Sequence, residues 1–171
     1  MKLRNLAKMG VVAMSIAAAS TAFASKGNQK TEDFNVNVSL IAPLVITETA
    51  PMNFPEYVAG DDVGAQVLDR ASGAKFNITG KASRVISVSL ASGTTTLKKG
   101  AGGSAATEIT ANSFKLGVTG GADIGTDYTG GTVSLTGAGT LGVEVGGTIT
   151  LEAGDQDGDF TGTNTLRVQY N

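Results

Sequence analysis

The sequence predicts an all-β protein, an immunoglobulin-like antiparallel β-sandwich, on three observations. Apolar and polar residues alternate along most of the chain, which is the period of a half-buried strand rather than of a helix. Breaks rich in Gly and Asp separate these runs at spacings of about 8 to 12 residues, the rhythm of sandwiches and barrels. The composition, with 24 Gly and 5% aromatic residues in 171, is poor material for a helix bundle. Apolar residues at 41% and charged residues at 16% supply a core and lack the signature of disorder. No repeat of fixed period is present, which makes a β-solenoid the weaker alternative.

The chain opens with Lys2, Arg4 and Lys8 ahead of an apolar run from Met9 to Ala19, then reads Thr21-Ala22-Phe23-Ala24-Ser25. A basic end, a short apolar stretch and small residues at Ala22 and Ala24 predict a secretory signal peptide over 1–24, cleaved after Ala24. The run falls short of the roughly 20 apolar residues of a membrane span, and no later segment reaches that length. Loss of Lys2, Arg4 and Lys8 leaves 10 basic and 15 acidic side chains, a net charge of −5. The expectation is an acidic exported protein, with no electrostatic footprint for nucleic acid. Cys and His are both absent, which removes disulfides, the thiol nucleophile, the usual general base near neutral pH and most zinc and copper ligand sets.

The polar stretch 25–32 reads as a mobile tail. In the next run Phe34, Val36, Val38 and Leu40 share one face, and Asn35, Asn37 and Ser39 the other. Ala42-Pro43 ends the run, and since proline cannot donate to a ladder it marks a border. Residues 25–42 therefore read either as an N-terminal extension carrying a separable strand or as the first strand of a sandwich that occupies 43–171. Shorter runs at Leu44 to Thr47, Phe54 to Val58, Val67 to Leu68, Lys75 to Thr79, Ile86 to Leu90, Phe114 to Val118 and Val133 to Leu135 predict strands. In Leu141 to Glu152, Leu141, Val143, Val145, Ile149 and Leu151 point one way and Glu144, Thr148, Thr150 and Glu152 the other. In the last strand Leu166, Val168 and Tyr170 oppose Thr165, Arg167 and Gln169. Lys99 to Gly103 and Thr119 to Asp123 read as turns or loops, and the pairs Gly130-Gly131 and Gly146-Gly147 as bulges or bends.

Candidate chemistry is thin. Asp155-Gln-Asp157-Gly-Asp159 resembles the opening of a calcium loop, but Phe160 and Leu166 stand where such a loop wants Gly and a bidentate Glu. A solvated turn explains it as well. Asp61-Asp62 and Asp123 with Asp127 sit beside Gly, where Asp is common for turn reasons. Neither Gly pair continues as a phosphate loop. No catalytic residue, metal ligand or cofactor site is expected.

The C-terminal segment is more specific. Tyr170 is penultimate, Gly158 stands fourteenth from the end, and Leu166 and Val168 alternate between them. In this the sequence resembles chaperone-usher fimbrial subunits, pilins whose terminal strand carries these features. Gly147 to Leu151, Phe160 to Thr163, Val168 to Tyr170 and Pro43 to Thr47 also look like an uncharacterised family of Gly- and Thr-rich secreted bacterial β-domains. The resemblance implies an incomplete immunoglobulin-like sandwich, completed by a donor strand. It implies a periplasmic chaperone and an outer-membrane usher as partners in transit, and copies of the same chain in a head-to-tail cell-surface filament (fimbria or pilus) that serves adhesion. Carried onto this chain, the donor residues are Phe34, Val36, Val38 and Leu40, and Gly158, Leu166, Val168 and Tyr170 belong to the strand that the chaperone reads. Many such subunits carry a disulfide, which this chain lacks. The alternative from a different class is a monomeric secreted binding module for carbohydrate or calcium, built on the loops around Asp61, Asp123 and Asp155.

Overall fold

The computed structural model describes residues 30–60, 64–100, 108–125 and 127–171. The expected signal peptide, Asp61, Asp62 and Ala101 to Gly103 lie outside the described residues. The chain divides into two units, Met1–Val38 and Ser39–Asn171. In the first, Lys30 to Val38 form neither strand nor helix, and Phe34, Val36 and Val38 are 85%, 81% and 87% exposed. Alternation alone supplies an apolar face and not a ladder, and a lone strand is not stable in water.

The regular structure described in the second unit is strand but for one short 3-10 turn: β1 (Val45–Ala50), β2 (Gly64–Leu68), β3 (Ala74–Thr79), β4 (Val85–Leu90), β5 (Thr95–Lys99), β6 (Glu108–Val118), β7 (Gly131–Ser134), β8 (Thr140–Leu151), β9 (Phe160–Thr161) and β10 (Leu166–Tyr170). They form two antiparallel sheets, as an all-β sandwich requires. The larger runs β1-β3-β8-β6-β5-β9, with β2 also on β8, and the smaller runs β10-β4-β7.

The 12-residue β8 is the spine of the larger sheet. Its first half pairs with β3 and its second half with β2, and β6 overlaps both pairings along the opposite side. Strands β2 and β3 are therefore one interrupted strand. The interruption, a 3-10 turn at Arg70–Ser72, rises opposite Gly146, where an added Cβ would stand 2.5 Å from the Leu68 carbonyl. In β6 the core-facing series Ile109, Ala111 shifts to Phe114, Leu116, Val118. The shift is a β-bulge between Asn112 and Lys115, where Ser113 takes φ +51°, and an extra residue there resets the period of two.

The core lies between the sheets. Ile78, Val143 and Leu116 from the larger meet Ile86 and Val88 from the smaller, all essentially inaccessible. Leu166, Val168, Tyr170, Met52 and Phe54 pack against this cluster and stay half-buried.

Two expectations are corrected. Phe54 to Val58 is not a strand: Pro51 and Pro55 withhold donors, and only Met52 and Phe54 turn to the core. Glu144, assigned to a solvated face, is 6% exposed, because the 3-10 turn folds over the outer surface of β8. Strands β5 and β9 carry no alternating signal in the sequence, since Thr95-Thr-Leu-Lys-Lys99 offers Leu97 as its one large apolar group and β9 has two residues.

Candidate functional site

Strand β10 stands at one edge of the smaller sheet, as β7 does at the other, and it is the edge strand that carries Leu166, Val168 and Tyr170. It pairs with β4 in unbroken register from Leu166 opposite Leu90 to Tyr170 opposite Ile86. Past its ends the Ala91 N–H donates to the Thr165 carbonyl at 2.8 Å, and the Asn171 N–H donates to the Val85 carbonyl at 3.2 Å. Asn164 Nδ2 donates to the Ser92 carbonyl at 2.9 Å, and Ser87 Oγ donates to Asn171 Oδ1 at 2.6 Å.

Those terminal bonds fix the alternation of the backbone. Thr165 and Asn171 turn their polar groups toward β4, so the N–H and C=O groups of Leu166, Val168 and Tyr170 face the other way. Among the described residues no strand pairs on that side. The same three residues turn half-buried side chains to the core, while Arg167 and Gln169 face solvent. One edge thus presents a row of main-chain donors and acceptors above an incompletely covered apolar surface, which is the geometry of strand addition.

Tyr170 does more than pack. Its hydroxyl donates to the Ala42 carbonyl at 2.8 Å and accepts from the Lys81 N–H at 2.6 Å. These partners stand 128 and 89 residues away in sequence, so no local signal could have disclosed them. Leu40, the last of the proposed donor residues, is 91% exposed. Gly158 is not brought to β10. It stands before β9 with φ +132°, against the Lys99 side chain, and β9 belongs to the larger sheet.

The acidic candidates have local duties. Asp155 Oδ2 accepts from the Glu152 N–H at 2.9 Å, and Asp157 pairs with Lys99 at 3.7 Å. Asp123 pairs with Arg70 at 2.8 Å, where the guanidinium rests against the backbone of Gly117. This pair borders a shallow hollow of about 750 Å³ on the outer face of the larger sheet, also lined by Ser113, Lys115, Glu144 and Thr148. Among the described residues no three acidic side chains converge as a metal site would need.

Asp127 Oδ1 accepts from the Thr129 hydroxyl at 2.6 Å and the Thr129 N–H at 2.9 Å. These bonds, the hydroxyl first, hold its carboxyl below the ordinary carboxylate range. A depressed folded-state value adds stability above the unfolded value, and that stability is lost as pH falls through the folded one. Thr129→Val should therefore raise the Asp127 titration midpoint toward the ordinary range and weaken the acid-limb stability this turn supplies. Carboxyl NMR titration reads it, and an unmoved midpoint would refute the assignment.

Residues 62–170 match the family described as "Domain of unknown function (DUF4402)", and the chain belongs to that family. No curated protein matches it.

Proposed function

We propose that this member of the DUF4402 family is a structural subunit of a secreted surface filament, assembled by donor-strand exchange in the manner of the fimbrial subunits it resembles. The observation that carries the reading is the free edge of β10, with Leu166, Val168 and Tyr170 half-buried beneath it. The complementary feature is the exposed alternating row of Phe34, Val36, Val38 and Leu40. Strand addition joins the two: main-chain bonds supply pairing, and alternate side chains fill the apolar surface beside β10. Burying four such side chains contributes about 6 to 12 kcal/mol gross, before the cost of ordering the extension. A head-to-tail contact of this kind does not close on itself and propagates as an open filament. A periplasmic chaperone would cover the same edge during export, and an outer-membrane usher would receive the subunit. The protein is read as non-enzymatic, and its work as cohesion and adhesion.

The test compares three proteins by thermal melting and size: residues 25–171, residues 43–171, and residues 43–171 with Thr31 to Ile41 joined after Asn171 by a flexible linker. The expected result is a polymerising first protein, an unstable second, and a third that is a monomer melting far above the second. A second protein already stable, and unchanged by the added strand, would overturn the reading and favour a monomeric binding module.

A further inference from the structure

We propose that Tyr170 is a latch that sets the direction in which the N-terminal extension leaves the domain, and so favours its delivery to another copy over closure on its own β10. This rests on the strand-addition reading above. The observation is the pair of hydrogen bonds at the Tyr170 hydroxyl, which fix the Ala42 carbonyl and the Lys81 N–H at the C-terminal end of β10. The site is built closely: a Cβ added at Gly80 would stand 2.4 Å from that hydroxyl.

Chain geometry does the rest. With Ala42 held at the Tyr170 end, Leu40 lies two residues back and within about 7 Å of it. Strand β10 extends about 14 Å from Tyr170 to Leu166. An extension added antiparallel to its own β10 would have to bring Leu40 to the Leu166 end, which the latched linker is too short to reach. Only parallel self-pairing is open to it, and parallel ladders are the less stable per residue. The extension of a second copy carries no such restriction and can enter antiparallel. Without the latch, self-addition would have the advantage of a high effective concentration; with the latch, that advantage is confined to the weaker pairing.

The test uses the exported full-length protein and its Tyr170→Phe variant, each refolded from denaturant at the same low concentration. The products are separated by size, and amide exchange is read over Phe34 to Leu40 and Leu44 to Ile46. The variant should fold, exchange faster at Leu44 to Ile46, and shift the ratio of closed monomer to oligomer at least tenfold toward monomer, with Phe34 to Leu40 protected in that monomer. Gly80→Ala, whose added Cβ would crowd the hydroxyl together with the Leu44 and Leu135 side chains and keep the ring, should shift the ratio in the same direction, and it decides the matter if Tyr170→Phe does not fold. An unchanged ratio in variants whose Leu44 to Ile46 amides have loosened would overturn the latch and leave strand exchange standing. Absence of oligomers from the unaltered protein would instead overturn strand exchange, and the latch with it.

Discussion

Gly130→Ala should cost about 3 to 5 kcal/mol, a large share of the 5 to 15 kcal/mol that holds a domain together. Two penalties meet at this residue. Its φ of +64° lies where an L side chain is strained by about 1 to 2 kcal/mol. Its added Cβ would stand 1.9 Å from the Val88 carbonyl oxygen, and Val88 is a fully buried residue of β4, the central strand of the smaller sheet. A flexible side chain could swing aside, but the backbone of a central strand can move only by breaking its ladders to β7 and β10. Two comparisons separate the terms. Gly120→Ala shares the positive φ, +64°, and meets nothing within 4 Å, so it should lose only the strain. Gly137→Ala meets nothing and has no positive φ, so it should be neutral or slightly stabilising through its effect on the unfolded chain. Urea midpoints of the three variants read the order directly, and a Gly130→Ala midpoint equal to that of Gly120→Ala would refute the clash.

The contrast between these glycines shows where the sequence is legible and where it is not. Strands that bury one face announce themselves: Ile86-Ser-Val-Ser-Leu90 and the apolar series of Leu141 to Leu151 read correctly because each apolar side chain reports its own environment through the period of two. Strand β5 was silent because its partners, and not its apolar content, make it a strand. Glu144 reads as solvated in the sequence because burial of an outward-facing residue depends on what folds over it, and the Arg70 turn that does so stands far away in sequence. The bulge at Asn112 to Lys115 shows as a parity change from Ala111 to Phe114, but only once β6 is known to be continuous. At the site, the alternation of Leu166, Val168 and Tyr170 was readable, whereas the freedom of their backbone edge is a property of sheet order. The grip of Tyr170 on Ala42 and Lys81 likewise belongs to tertiary geometry.

Val36→Asp combined with Val38→Asp should leave the domain unchanged in melting temperature and abolish assembly. Both positions are more than 80% exposed in the free chain, so no folded-state contact of the domain is lost. In the assembled state each would face the apolar surface beside β10. There the change forfeits about 1.5 to 3 kcal/mol of burial per residue and adds several kcal/mol for each carboxylate taken out of water without a partner. The sum exceeds 4 kcal/mol, which is a fall in association of at least about a thousandfold. Asn35→Asp combined with Asn37→Asp adds the same two charges one residue out of phase, on the face that strand addition leaves to solvent. It should assemble almost as the unaltered protein does, with a modest added sensitivity to low salt. Light scattering of the four-way comparison, with Val36→Ile as a volume-tolerant reference, tells charge from burial. Equal loss in both Asp pairs would mean that repulsion along the extension, and not insertion of one face, governs assembly. Full assembly of the Val36 and Val38 variant would remove this segment as the donor. Loss confined to that variant is what a strand inserted by its Phe34, Val36, Val38 and Leu40 face requires, because only a period of two can make neighbouring residues differ so sharply in consequence.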